Sequence, residues 1–159
     1  MANAYIISVK YAPGSNKEFV VFGENLSRRG ISVKFILSEF YRCLEWNYVE
    51  AHYVNTSNKL FRLITDTFSL RIVRELEEVL SKFPPSFVMF YNPHPLNPRL
   101  ARFIKEKYPD AITALYLHDP YKPDKSPYGW KKSVYITIAE KVQDWTVKYM
   151  DHVISPSEY

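Results

Sequence analysis

Two histidines in proline-stiffened loops are the side chains of this sequence best suited to act on a substrate. His118 precedes Asp119 in a His-Asp-Pro turn, and His94 lies between two prolines. A histidine held at the end of a strand can donate a hydrogen bond to a substrate oxygen or titrate near neutrality. Asp119 could orient His118 or receive a hydroxyl proton. Histidine and aspartate also cap backbone groups in ordinary turns, so a purely structural role stays open for both loops.

A third polar loop, residues 13–16, could bind a ligand through its backbone. Gly14, Ser15 and Asn16 follow the first apolar run and precede a helical pattern. Backbone N–H groups at the start of a helix can hold an anion or a hydroxyl-rich ligand. The loop lacks the three glycines of a dinucleotide fingerprint and the lysine of a P-loop, which disfavours NAD and ATP. A plain turn with Ser15 or Asn16 as helix cap is the alternative.

Residues 121–132 interleave basic and aromatic side chains, Lys122 and Trp130 among them. Such a segment could contact anionic lipid headgroups or a phosphorylated acceptor. Such a segment is more often a solvated surface with one buried anchor, here Trp130. No recognition helix or aromatic RNA-binding motif accompanies the charge, so nucleic-acid binding is not predicted.

Several other chemistries are disfavoured by what the sequence contains. The single cysteine, Cys43, excludes an internal disulfide and a multi-cysteine metal site, and it suits a reducing, cytoplasmic compartment. His94 and His118 lack the short spacing of metal ligands, so no metal is predicted. No glycine-flanked serine is present to form a nucleophile elbow, which disfavours a hydrolase.

The polar loops follow apolar, β-branched runs that are typical of strands buried on both faces. The predicted strands are residues 4–10, 31–37, 49–54, 86–91, 111–117 and 152–155. Helical periodicity covers residues 16–29, 59–83 and 130–149, and a further helix begins at 97–98 and carries Leu100, Phe103 and Ile104 inward. Strands that alternate with helices predict an α/β fold with a doubly wound parallel sheet and helices on both faces. With the common order 3-2-1-4-5-6, the loops after strands one and four face each other across the ligand-binding crevice.

Individual residues are expected to shape the helices. Gly23 would let the first helix approach the sheet closely, and Gly30 would cap its carboxyl end. Asn97 and Pro98 are typical of the N-cap and first residue of a helix. Two aromatic residues, Phe83 and Trp145, continue the apolar faces of their helices and are expected to point inward.

Size and charge bound the remaining possibilities. The 159 residues predict a single domain, and the net charge of +4 with a sequence pI near 9.0 suits an anionic partner. Neither a signal peptide nor an apolar stretch of membrane-spanning length is present. We therefore expect a cytoplasmic protein and leave open a peripheral contact with a membrane.

In their order along the chain, these features resemble the N-terminal domain of GT-B-fold glycosyltransferases, most closely the retaining family-4 type. The resemblance covers essentially the whole chain and depends on the order of modest motifs. They are the Pro-Gly-Ser-Asn loop, the Arg-Arg-Gly helix end at 28–30, the Pro-His-Pro loop at 93–95, the Leu-His-Asp-Pro loop at 117–120, a helix with Glu140, and the segment 149–159.

The resemblance implies a domain, residues 1–159, that binds a saccharide or lipid-linked hydroxyl acceptor. A second Rossmann-like domain, not contained in this sequence, would bind the nucleotide-sugar, so this chain alone would be inactive. Gly14, with Ser15 and Asn16, would lie near the donor phosphates or the acceptor, and His94 and Lys122 would also contact substrate. His118, with Asp119, would contact the transferred sugar. The family commonly needs no metal or other cofactor. The loop at residues 13–16 has one glycine, Gly14, where many members have two.

Two other functions remain compatible with these residues. A non-enzymatic binding or regulatory module can be built on the same kind of sheet, because a fold does not determine a function. A lone nucleotide-binding protein is a third possibility and would show nucleotide affinity by itself. A coding sequence that continues past Tyr159 into a second α/β domain would favour the transferase.

Overall fold

The computed structural model describes residues 2–8, 17–38, 50–54, 70–92, 94, 96–117 and 130–155. Its strands are β1 (Asn3–Ser8), β2 (Ser32–Ser38), β3 (Glu50–Val54), β4 (Phe87–Tyr91), β5 (Ile112–Tyr116) and β6 (His152–Ile154). The helices in the described part of the chain are α1 (Lys17–Arg28), α2 (Leu70–Lys82), α3 (Asn97–Lys107) and α4 (Trp130–Val147). Each predicted strand is therefore present, with bounds shifted by a few residues.

The strands form one parallel sheet in the order β3-β2-β1-β4-β5-β6, as predicted. The chain runs outward from β1 to β3, returns to β4 beside β1, and then runs outward in the opposite direction. The strand order therefore reverses between β1 and β4, where Ile7 is in register with Phe90. In an open α/β sheet this reversal opens the crevice that receives ligands.

Alternate side chains of the strands enter two separate apolar cores. Tyr5, Ile7, Phe90 and Leu115 face α2 and α3, whereas Ile6, Phe35, Leu37 and Met89 lie on the opposite face of the sheet, towards α1. The helices contribute Ile72, Val73, Leu76, Leu80, Leu100, Ala101 and Ile104 to the first core. Because both faces of the central strands are covered, these strands show continuous apolar runs without alternation.

A Schellman motif ends α1, as the position of Gly30 predicts. Gly30 has φ of 79°, its N–H donates to the carbonyl of Ser27 at 2.9 Å, and the N–H of Ile31 donates to the carbonyl of Leu26 at 3.2 Å. Leu26 and Ile31 both pack against the second core. The motif satisfies carbonyls at the helix end and directs the chain into β2.

Replacement of Gly30 by Ala should destabilise the protein through backbone conformation alone. A Cβ at this position would meet no atom within 4 Å, so no steric clash contributes. The left-handed conformation should cost about 1 kcal/mol in the free energy of unfolding. Urea denaturation measures this loss. Gly30→Asn, which tolerates positive φ better, should lose less, and equal losses for the two variants would contradict the explanation.

Two aromatic side chains that were expected to point inward are largely exposed, so those predictions are wrong. Trp145 is 52% exposed because α4 buries Val142 and Thr146 instead. Phe83 is 46% exposed because α2 ends at Lys82, before the helical period reaches it. The three residues of β6 are also exposed, so this edge strand has little cover.

Asp151 ties the start of β6 to β5 at the amino end of the sheet. Its Oδ2 accepts hydrogen bonds from Lys105 Nζ at 2.6 Å and from the backbone N–H of Thr113 at 2.7 Å. The Thr113 hydroxyl is 3.0 Å from the same oxygen. The bond from Lys105, followed by that from Thr113, lowers the pKa of the Asp151 carboxyl from 3.8 to about 2. This cluster lies at the edge opposite the crevice and is structural.

Asp151→Asn should reduce stability at neutral pH and have little effect in acid. A carboxyl whose pKa is lowered by folding stabilises the protein above its unfolded pKa near 4, and it loses this contribution as the pH falls towards 2. The side chain is 42% exposed, so we expect a loss of only about 1 kcal/mol at pH 7. Denaturation of both proteins between pH 7 and pH 2 measures it. Asp110→Asn, in an exposed turn, is the control, and a gap that does not shrink in acid would contradict this assignment.

Candidate functional site

The candidate site is the edge of the sheet at which β1, β4 and β5 end. Ser8, the last residue of β1, is 1% exposed, and Tyr91, the last residue of β4, is 5% exposed. β1 and β4 are hydrogen-bonded neighbours, so the loops that follow them begin side by side. β5 pairs with β4 on its other side, and its loop begins at the same edge.

Most of the residues predicted to act at this edge lie outside the described part of the chain. Gly14, Ser15 and Asn16 belong to the connection between β1 and α1, and His118, Asp119 and Lys122 belong to the connection between β5 and α4. The strand order brings the beginnings of both connections to the crevice edge, on either side of β4. Their roles stay predictions. His94 is the one predicted site residue that the structure describes.

The loop between β4 and α3 is held to its neighbours by buried polar groups. Asn92 adopts a positive φ of 58°, and its N–H donates to the carbonyl of Tyr116 at the end of β5, at 2.8 Å. His94 is 6% exposed, and its Nδ1 accepts the N–H of Leu96 at 3.3 Å. His94 is thus buried just after the end of β4, and its role in binding a ligand stays a prediction.

Asn97 was predicted to be the N-cap of α3, and this prediction is wrong. Leu96 is at the cap position and makes no side-chain cap bond, whereas Asn97 is the first helical residue, with Pro98 after it. The Asn97 side chain instead donates to the carbonyl of Asn92 at 2.9 Å, and its backbone N–H donates to the carbonyl of His94 at 2.8 Å. The amide is 2% exposed and closes the loop onto the helix.

Sequence reasoning missed an aromatic pair at the same edge. The rings of Tyr91 and Tyr116 are stacked with centroids 5.4 Å apart and an interplanar angle of 11°. They meet because the register pairs the last residues of β4 and β5. The available signal was that both strands end in tyrosine, but only the register shows that the two tyrosines are opposite each other.

A second group of charged side chains lies away from the crevice. Lys34 is 7% exposed; its Nζ is 2.8 Å from Glu50 Oε2 and 3.7 Å from the centroid of the Phe83 ring. The neighbouring Tyr5 donates its hydroxyl hydrogen to the carbonyl of Phe83 at 2.6 Å. Burial, with the charge of Glu50, raises the pKa of Tyr5 to about 12, so this phenol stays protonated. These contacts stabilise the sheet and do not indicate a catalytic role for the residues that make them.

Neither a cluster of metal ligands nor a membrane-spanning helix occurs in the described part of the chain. In that part of the chain, no three His, Cys, Asp or Glu side chains cluster as metal ligands. None of the helices formed by described residues has the length and apolar character needed to cross a bilayer.

Comparison with known proteins yields structural likeness without a recognised family. No family model and no curated protein matches the sequence. MurG from Acinetobacter baumannii matches 99% of this chain with a TM-score of 0.64 and 8% identity. The UDP-GlcNAc 2-epimerase from Methanocaldococcus jannaschii matches 99% with a TM-score of 0.59 and 15% identity. The Neisseria meningitidis UDP-GlcNAc 2-epimerase, solved with UDP-GlcNAc bound, matches 99% with a TM-score of 0.61 and 12% identity.

These likenesses place the chain in the Rossmann-like α/β class and support a GT-B fold. At such low identity they establish the fold alone. The chain spans 42% of MurG and 40% of each of the two epimerases. They do not distinguish the retaining family-4 enzymes from other members of this fold.

Proposed function

We propose that this chain is the acceptor-binding half of a glycosyltransferase that moves a sugar from a nucleotide-sugar to a hydroxyl acceptor with retention of configuration. The observation that carries the proposal is the adjacency of β1 and β4, which opens a crevice between the two predicted ligand loops. The fold likeness to MurG across nearly the whole chain agrees with it. The nucleotide-sugar would bind a second domain across the crevice.

In the proposed reaction the protein contributes mainly positioning and charge stabilisation. His118 donates a hydrogen bond to the transferred sugar or to the acceptor, and Asp119 orients His118 or receives the hydroxyl proton. Backbone N–H groups of Gly14, Ser15 and Asn16 bind donor phosphate or acceptor oxygens. Closure of the two domains excludes water from the reacting centre. We propose that the transfer needs no metal or other cofactor.

The proposed acceptor is a saccharide or a lipid-linked sugar. The basic and aromatic segment that contains Lys122 would contact its phosphate or the headgroups around it. The net charge of +4 agrees with such an anionic surface. We propose that the enzyme is cytoplasmic and contacts a membrane peripherally where the acceptor carries a lipid.

A second candidate is epimerisation of the sugar within a nucleotide-sugar. It is favoured by the similar fold of three UDP-GlcNAc 2-epimerase structures, one of them described as putative. An epimerase would use the same crevice but would need no separate acceptor. A non-enzymatic binding module on the same sheet is the remaining alternative.

Product analysis by NMR separates these functions in the complete two-domain protein that the proposal requires. Incubation with UDP-GlcNAc and other nucleotide-sugars, with and without saccharide acceptors, should give a new glycoside with the anomeric configuration of the donor. Conversion of the donor sugar without an acceptor would instead support epimerisation. An unchanged donor under all conditions, despite measurable binding, would support the binding module and overturn both enzymatic functions.

A further inference from the structure

The protonation of the His94 ring follows from its hydrogen bond to Leu96. The Leu96 N–H donates to His94 Nδ1 at 3.3 Å, and the ring is 6% exposed. An imidazole nitrogen that accepts a hydrogen bond carries a lone pair and no hydrogen. The proton of the neutral ring is therefore on Nε2. Protonation of Nδ1 would place an N–H donor opposite the N–H of Leu96, and the hydrogen bond between them would be lost.

Asn97 fixes the backbone around His94 with two hydrogen bonds. The Asn97 N–H donates to the carbonyl of His94 at 2.8 Å, and its side-chain amide donates to the carbonyl of Asn92 at 2.9 Å. Asn92 is in turn bonded to Tyr116 at the end of β5. These bonds fix the conformation of Asn92, which has a positive φ, and the position of the His94 carbonyl relative to Asn97. The position of the Leu96 N–H relative to the His94 ring depends on that conformation.

We propose that His94 is a neutral hydrogen-bond donor through Nε2–H, and not a general base, and that Asn97 is the positioning residue that maintains this tautomer. The donor role towards a ligand oxygen at the crevice rests on the proposed function. Whichever group meets Nε2, in the protein or in a ligand, must be an acceptor; among ligand groups, a sugar hydroxyl or a phosphate oxygen qualifies. A general base would instead have to present an unprotonated nitrogen to a substrate hydroxyl.

Nitrogen-15 NMR of the ring nitrogens tests the tautomer in the chain itself, without any ligand. At neutral pH the His94 ring should show a protonated Nε2 and an unprotonated Nδ1. A proton on Nδ1, a doubly protonated ring, or averaging of the two tautomers would overturn the assignment. Because no activity is measured, this result is independent of the proposed function.

Two matched asparagine variants test the role of Asn97. Asn97→Asp replaces the amide donor by an oxygen, so the carbonyl of Asn92 loses its partner and the ring signals should become a mixture of tautomers. Asn3→Asp removes a similar bond, from Asn3 Nδ2 to the carbonyl of Pro84 at 3.1 Å, and should leave His94 unchanged. A wild-type spectrum in Asn97→Asp would overturn the positioning role. If that variant does not fold, Asn97→Ser provides the same comparison.

The donor role is tested in the product assay with two replacements of His94. Gln can place an amide N–H near the position of Nε2, so His94→Gln should keep the rate to within about tenfold. Asn can accept from the Leu96 N–H but cannot reach the Nε2 position, so His94→Asn should lose about 100-fold or more. Equal losses would overturn the donor role. If the wild-type protein forms no product, both the proposed function and the donor role are contradicted. The tautomer is tested separately, by NMR.

Discussion

His118→Ala is expected to lower the rate of sugar transfer by the complete enzyme by about 10²- to 10³-fold, the usual effect of losing one positioned donor at a reacting centre. His118 follows β5, and His94 follows the neighbouring strand β4 at the same edge of the sheet. If its hydrogen bond forms mainly in the transition state, the loss should fall on kcat and leave KM nearly unchanged. Steady-state kinetics with a saturating nucleotide-sugar measures both.

The control for this prediction is another histidine of the same chain. His152 is exposed on β6, the edge strand. It begins β6 in register with Ala114, so it does not lie at the carboxyl end of β5 that leads to His118, and His152→Ala should keep wild-type kinetics. A wild-type rate for His118→Ala would show that the histidine serves only as a turn residue. A loss of similar size in both variants would point to instability and not to catalysis.

Asp119 adds a pH-dependent comparison to the His118 experiment. If Asp119 only orients His118, Asp119→Asn should keep part of the rate, because an amide oxygen can still accept a hydrogen bond. If Asp119 receives the hydroxyl proton, Asn cannot replace it, so most of the activity should be lost. The residual rate should then no longer show the acid limb of the pH–rate profile. One pH–rate profile of Asp119→Asn therefore distinguishes the two roles that the sequence left open for Asp119.

The sheet was predictable from the sequence because parallel strands covered on both faces leave a strong local signal. The run at residues 87–91, for example, is continuously apolar and is followed by Asn92 and Pro93. Strand order followed from the common doubly wound arrangement and was confirmed. The short β3 was also found, because its residues Glu50–Val54 keep β propensity within an irregular stretch.

Predictions that depended on the end of an element were less successful, because such ends are decided by tertiary contacts. Asn97 has the residue type of an N-cap, but its side chain found a better partner in the carbonyl of Asn92, which the positive φ of that residue presents. Trp145 follows the helical period, but α4, which packs against α3, buries Val142 and Thr146 instead. Neither outcome is encoded within one element.

The candidate site was predictable as a location but not as a set of contacts. Polar loops after β1, β4 and β5 had to share an edge once the strands were parallel. The tautomer of His94 could not be inferred, because it depends on the N–H of Leu96 two residues later. The stacking of Tyr91 on Tyr116 required the register between two strands. Local sequence thus predicts where chemistry can occur, and tertiary structure decides which atoms face each other.

The close approach of α1 to the sheet gives the largest stability effect that we predict. A Cβ built on Gly23 would lie 2.9 Å from Cζ of Phe35, whose ring is fully buried. Gly23→Ala gains about 1 kcal/mol in helix propensity. It loses about 2 to 3 kcal/mol because the Phe35 ring must leave its packed position. We expect a net loss of about 1 to 2 kcal/mol in the free energy of unfolding, measured by urea denaturation.

A shorter side chain at position 35 should reverse the sign of this effect. Leu lacks the ring atoms that approach Gly23, so in a Phe35→Leu background Gly23→Ala should stabilise the protein by up to about 1 kcal/mol through helix propensity. The double-mutant cycle should therefore give a coupling of about 2 kcal/mol between the two positions. Additive effects would mean that α1 can move away from β2 at little cost.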